Sequence, residues 1–282
     1  MKSDSSNHNP LTVVCAIVHG LYQPWIDILY KGQVPTWLSI PKPDGFEVMH
    51  FHGKNGGSLI SFYDKIHERI RWTNRWVATP LKWFDEILGF PIRSYVPRTS
   101  KSKHLKLLDE SIQIEFLDIY ATMKWKDLAV LEHFYSKTGA NYLFMTTTSS
   151  YIRPLKLMEA ISSLPAQGVY AGAVPYQGAN FAAGSNRLFS RDVVERILKE
   201  RRHFQCGVIE DLALGNLCNS LGIQMVELPK RNICSLEELD FISDQELIGQ
   251  FHFRLTSGAR TNRQDVKIMH GLHNRIEAID GH

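Results

Sequence analysis

Short apolar runs, separated by breaker-rich polar stretches, mark the first half of the chain. Leu11 to Gly20 (LTVVCAIVHG) is an unbroken apolar run ending in Gly, and Phe46 to Gly53 (FEVMHFHG) is a second one after PKPDG. Each predicts a strand buried on both faces, as parallel sheets contain. Ser111 to Leu117 (SIQIEFL) instead alternates Ile112, Ile114 and Phe116 with Gln113 and Glu115, which predicts a strand with one more polar face. Trp125, Leu128, Leu131, Phe134 and Tyr135 then recur at helical spacing, and Gly139 falls where a C-cap is expected. Asn141 to Met145 (NYLFM) returns to strand, and the hydroxyl-rich TTTSSY reads as a polar connection to a helix opened by Pro154. Ser190 is placed to cap a helix with Val193, Val194, Ile197 and Leu198 on one face. Asp211 begins another, with Leu214, Leu217, Cys218 and Leu221 as its stripe and Gly222 as its stop, before the strand IQMVELP. This alternation predicts an α/β fold, a mainly parallel sheet flanked by helices. No repeat is visible, and the chain reads as one domain over residues 11–282 after a flexible segment 1–10, with a basic loop at Pro97 to Lys106.

Composition narrows the function classes. With 282 residues, 44% hydrophobic and 22% charged, the chain can bury a full core. A net charge of +3 is too mild to argue for nucleic acid but suits an anionic small molecule. Cys15, Cys206, Cys218 and Cys234 fall in no zinc or disulfide spacing, which fits a reducing compartment. The absence of a long apolar run and the polar N-terminus lead to a cytoplasmic expectation. Arg69 to Phe90 combines Trp72, Trp76 and Trp83 with basic residues. Core or acceptor-groove packing is the favoured reading, because Pro80 interrupts the helical pattern; peripheral contact with an anionic membrane is the other.

Four blocks, in order, carry a resemblance. Asp118, Tyr120, Met123 and Lys126 in DIYATMKWK echo a D-x-Y-x-N-L-T-x-K segment, with Thr122 at the Asn position. NYLFMTTTSSYI echoes a strand running into a DxD motif, in position but not in chemistry. Gly184, Leu188, Ser190 and Asp192 in NFAAGSNRLFSRD echo a Y-x-x-G-x-x-Y-x-L-S-x-D turn. Glu210, Asp211, Gly215, Cys218, Leu221 and Gly222 echo E-D-V-x-x-G followed by C-L-x-x-L-G. Together, over roughly Ser111 to Pro229, these resemble the glycosyltransferase family of fringe and the β-1,3-galactosyltransferases.

The resemblance implies a GT-A-like, Rossmann-like fold, a nucleotide-sugar donor, most simply a UDP-sugar, and inverting transfer to a glycan or lipid-linked glycan. It implies Asp211 as the base, with Glu210 as the fallback, and an acceptor-side turn at Gly184, Ser185 and Asn186. It departs from the family at the metal site, where Thr147, Thr148 and Ser149 replace the carboxylates that hold Mn²⁺ or Mg²⁺. Hydroxyls bring no negative charge to a hard cation, so a divalent cation is either not used or held elsewhere. Charge on the departing diphosphate must still be compensated. Arg254 and Arg263 are the expected phosphate partners, with the three hydroxyls and Lys126 beside them. His252 is the nearest counterpart of a late metal-ligating His in the family. His19, at the end of the first strand, lies where open α/β sheets place ligands. Two rivals stand: a non-catalytic nucleotide-sugar or carbohydrate binder descended from such an enzyme, and a different Rossmann-like enzyme, which the lack of GxGxxG in HGLYQPW disfavours.

Overall fold

The structure is a computed structural model, and it describes residues 10–54, 96–103, 105, 110–118, 123–205, 207–256 and 263–281. The tryptophan-rich segment with Trp72, Trp76 and Trp83, the motif positions Tyr120 and Thr122, Cys206, Arg260 and part of the 97–106 loop lie outside them.

In chain order the elements are β1 (Val13–His19), a short α1 (Trp25–Asp27) continuing into a π-helical turn (Ile28–Gln33), β2 (Phe46–Lys54), β3 (Thr99–Lys101) and β4 (Ser111–Leu117). Then come α2 (Met123–Lys137), β5 (Tyr142–Thr147), β6 (Ser150–Ile152), α3 (Pro154–Ser162), β7 (Tyr170–Gly172), β8 (Arg187–Ser190) and α4 (Arg191–Lys199). The chain closes with α5 (Glu210–Ser220), β9 (Met225–Glu227), β10 (Arg231–Ile233), α6 (Leu236–Phe241), α7 (Asp244–Gly249), β11 (His252–Leu255) and α8 (Asp265–Asp280).

Eight strands form one sheet in the order β3-β4-β2-β1-β5-β8-β7-β9, and β10-β11-β6 form a small second sheet. β1 lies between β2 and β5 and is parallel to both, and β4 is parallel to β2. Antiparallel pairing enters at β3 and at β8. The apolar run of β1 is divided between two cores. Val14, Ala16 and Val18 pack on the side of α2, α4 and α5, while Val13, Cys15 and Ile17 pack on the side of α3, α6 and α8. Burial on both faces is why the run shows no alternation, and helices on both sides are what bury it. The expected α/β sheet flanked by helices is therefore the architecture that forms. No helix among the described residues is long and apolar enough to cross a membrane.

Three local expectations change. TTTSSY is not a simple connection: Thr146 and Thr147 finish β5, and Ser150 to Ile152 pair with β11 as part of the second sheet. The carbonyl of Ser150 accepts from Gln33 Nε2 at 2.9 Å and Trp37 Nε1 at 3.1 Å, so the buried polar backbone there is satisfied from the π-helical turn and the segment after it. The helix before Gly139 ends differently from a glycine cap. Thr138 terminates it by donating its hydroxyl to the Phe134 carbonyl at 2.8 Å, and Gly139 is not left-handed. Gly222 does take the left-handed conformation, at φ 70°, one residue past the C-cap of α5. Ser190 stands at the N-cap of α4, but its hydroxyl bonds Val169 N and Asp192 instead of the helix N–H groups.

Gly215 has a packing reason. A Cβ there would lie 2.2 Å from the Cβ of Phe181, so α5 meets the loop before β8 only because position 215 has no side chain. Gly215→Ala is expected to cost about 1–3 kcal/mol by overpacking, read as a lower urea midpoint. An unchanged midpoint would show that the loop gives way freely.

Candidate functional site

The carboxyl ends of the parallel neighbours β1 and β5 open onto a cleft of about 490 Å³. Val18, His19 and Gly20 form its floor, Tyr22 and Trp25 one wall, and Met123 and Lys126 of α2 another. Thr147 and Thr148 enter from the end of β5, Arg254 from β11, and Arg263 from the approach to α8. Ala183, Gly184 and Ser185 come from the loop before β8, Arg187 from β8 itself, and Glu210 and Asp211 from the first turn of α5. Ten candidates named from sequence thus meet in one cavity, although they span more than 240 positions of the chain.

Part of the lining is cationic. Arg254 donates to Thr147 Oγ1 at 2.6 Å and has no carboxylate within ion-pair distance among the described residues. Burial, with Arg263 adding to it, lowers its pKa to about 10. Arg263 is more fully engaged. It pairs with both oxygens of buried Asp265 at 2.6 and 2.7 Å, donates to Ser149 Oγ at 3.1 Å, and lies 4.9 Å from the Trp25 ring. Lys230, beyond β9, donates to Ser185 Oγ at 3.5 Å, and burial followed by Arg254 pulls its pKa down to about 8. Lys126 reaches the wall but forms a buried ion pair with Asp118, whose other oxygen accepts from Leu21 N at 3.1 Å. Its charge is neutralised by that partner, and the pair ties α2 to the turn after β1.

Another part of the lining is acidic. Asp211 Oδ2 accepts from Gly184 N at 2.7 Å. A Cβ on residue 184 would stand 2.5 Å from Asp211 Oδ1, so this approach requires glycine. The plain capping role for Asp211 does not hold. Ile209 is the N-cap of α5, and the Asp211 carboxylate bonds the loop instead of its own helix. Burial raises Asp211 above the ordinary carboxylate value, with Arg187 the largest opposing influence. Burial raises Glu210 to about 7, reinforced by Asp211 and Asp127. Behind both lies Arg187, 2% exposed, forked onto Asp127 at 2.5 and 3.0 Å.

Three sequence candidates are not on the cavity wall. Ser149 lies behind it, held by Arg263. Asn186 and His252 are fully buried and face each other, Nδ2 to Nδ1 at 2.8 Å. His252 is thus turned toward the loop before β8 and away from the cleft, and burial, then Lys230 and Arg254, hold its pKa well below the usual range. His19 is on the floor. Its ring lies 5.9 Å from His50 and 5.7 Å from His52, and burial, followed by those two neighbours, keeps it neutral well below its ordinary pKa. Among the described residues no three His, Cys, Asp or Glu side chains gather as a metal site.

Sequence reasoning missed Arg187, Asp127, Lys230 and Trp25. A signal existed for the first. Arg187 occupies the second Tyr position of the Y-x-x-G-x-x-Y pattern, and a lone Arg among Asn186, Leu188 and Phe189 calls for a buried acid.

No protein-family model matches the chain, and no curated protein matches it in sequence. Among solved structures it is similar to the crystal structure of a glycosyltransferase involved in the glycosylation of the major capsid of PBCV-1, with a TM-score of 0.44 and 10% identity, over 93% of this chain and 100% of that one.

Proposed function

We propose that the chain is a GT-A-like inverting glycosyltransferase that moves a sugar from a nucleotide-sugar donor, taken here as a UDP-sugar, to a glycan or lipid-linked glycan acceptor. The observation that carries this reading is that Arg254 and Arg263 line one cleft together with the Asp211–Gly184 pair, at the carboxyl ends of β1 and β5. Inverting transfer needs charge compensation at the leaving diphosphate and a proton acceptor on the other side of the anomeric carbon. In this reading the acceptor oxygen bonds to the anomeric carbon as the bond from that carbon to the phosphate oxygen breaks. The acceptor proton passes to Asp211, and the electron pair leaves with the diphosphate.

A divalent cation at the Thr147–Ser149 position does not fit these residues. Thr147 Oγ1 and Ser149 Oγ accept from Arg254 and Arg263, so a cation there would face two guanidinium groups, and the Asp265 carboxylate is already paired with Arg263. The diphosphate is instead assigned to Arg254, with Thr148 and Arg263 beside it. Lys230, near enough to interact with both Arg254 and Asp211, supplies further positive charge.

A calorimetric screen of nucleotide sugars with and without Mn²⁺ tests the assignment. Binding of one nucleotide sugar is expected without metal and unchanged by EDTA. Arg254→Ala is expected to weaken it about 10–100-fold, the loss of a hydrogen-bonded charge contact. Affinity that requires Mn²⁺ and ignores Arg254→Ala would overturn the metal-free clamp, and no binding across the screen would overturn the donor class.

A further inference from the structure

Two carboxylates meet one guanidinium at the acidic part of the cleft, and a third adjoins them. Arg187 bonds Asp127 through both terminal nitrogens, and its Nη1 also lies 3.6 Å from Asp211 Oδ1. Glu210 has no ion-pair contact with Arg187 among the described residues, although it adjoins Asp211 in the same helical turn. Arg187 contacts two of the three carboxylates and cannot offset all three charges, so the acid out of contact with it is the one that most readily keeps its proton. The acids in contact with the guanidinium are those held ionised, which leaves Glu210.

We propose that Arg187 is a positioning residue for the acidic pair: locked from behind by Asp127, it holds Asp211 as the ionised carboxylate and leaves Glu210 to carry the proton. This rests on reading the cleft as a transfer site, because only there does a division into acceptor and holder of a proton matter. The remaining geometry agrees. Asp211 Oδ2 is fixed by Gly184 N, while Oδ1, buried and without a hydrogen-bond partner among the described residues, is the oxygen that lies near Arg187. Asp127 is fully buried and its two oxygens are both taken by Arg187, so it cannot substitute. Of the other charged groups that bear on Asp211, Asp127 and the neighbouring Glu210 oppose its ionisation, while Lys230 and Arg254 favour it. Tyr170 stays neutral, since burial pushes its hydroxyl pKa up. Glu210, raised to about 7 from 4.5, gives the linkage a definite sign. The folded state binds the extra proton, so this contribution to stability is complete below about pH 4.5 and is lost as pH rises through about 7.

The test is a ¹³C NMR titration of the full chain carrying ¹³C-carboxyl Asp and Glu, with signals assigned by Asp211→Asn and Glu210→Gln. In the unaltered protein Asp211 is expected to ionise at lower pH than Glu210. Arg187→Met is expected to move the Asp211 midpoint up by one pH unit or more. Should Arg187→Met fail to fold because Asp127 is stranded, Asp127→Leu with Arg187→Met removes both charges. An upward shift of the same sign is still expected, because Arg187 acts on Asp211 more strongly than Asp127 opposes it. An unmoved Asp211 midpoint, or Glu210 ionising first, would overturn the proposal. The titration needs no donor, so its failure is separate from a failed nucleotide-sugar screen.

Discussion

Asp211→Asn is expected to lower the rate of sugar transfer by about two to four orders of magnitude while donor affinity stays within about threefold of the unaltered protein, the range for removing a general base. The asymmetry follows from the cleft. An asparagine keeps the shape of the side chain and can still accept from Gly184 N through its amide oxygen, so the loop before β8 has no reason to move. It cannot take up a proton, and the Arg254–Thr147 contact does not involve it. Gly184→Ala provides a geometric companion. Its Cβ would arrive 2.5 Å from Asp211 Oδ1, so the carboxylate must shift, and a misplacement of about 1 Å costs about 100-fold in rate with no change in the chemistry of the residue. Both measurements use whichever nucleotide sugar binds in the screen, with transfer and binding read separately. Full activity of Asp211→Asn would remove Asp211 from the role of base. A full loss in Glu210→Gln alone would give it to the neighbour.

How much of this could be read before the structure depended on what kind of constraint each residue answered. The central strands were legible because burial on both faces leaves an unbroken apolar run, as in Val13 to Val18. β7 and β8 were not, since three or four residues carry no period, and the block around Gly184 looked like a turn alone. The late helices α6 and α7 had a signal that went unread. Ser235 accepts from Glu238 N and Ser243 from Glu246 N, the S-x-x-E arrangement of a capping box. In the site, Thr147, Gly184 and Asp211 stood inside ordered motif blocks, and Arg254 and Arg263 announced themselves by charge. His252 shows the limit of that approach. Alternation on a strand separates it from Phe251 and Phe253, but only the position of β11 against β6 decides that its face meets Asn186 and not the cleft. The Asp127–Arg187 contact joins positions 60 residues apart, through a helix and a strand whose adjacency is set by sheet order, so no local pattern could expose it.

That contact also carries the largest expected effect on stability. Asp127→Ala leaves the Arg187 guanidinium, 2% exposed, without its two-point partner and with Asp211 Oδ1 at 3.6 Å as the remaining ion-pair contact among the described residues, and is expected to destabilise the fold by about 3–5 kcal/mol. The pair itself contributes less than its removal costs, because both groups gave up hydration on burial. Asp127→Leu combined with Arg187→Met puts apolar groups of similar volume in the same space and is therefore expected to recover most of the loss. Urea denaturation of the two single variants and the double separates the terms as a thermodynamic cycle. A strong coupling, with the double far more stable than either single, is the expected result. Additive losses would mean that Asp127 and Arg187 stabilise the fold through separate contacts. The same comparison bears on why the pair is there at all: if the apolar double folds as well as the unaltered chain while its Asp211 titration has moved, stability is not what this buried pair supplies, and the remaining reason to keep a guanidinium beneath α5 is the charge it presents to the carboxylate in front of it.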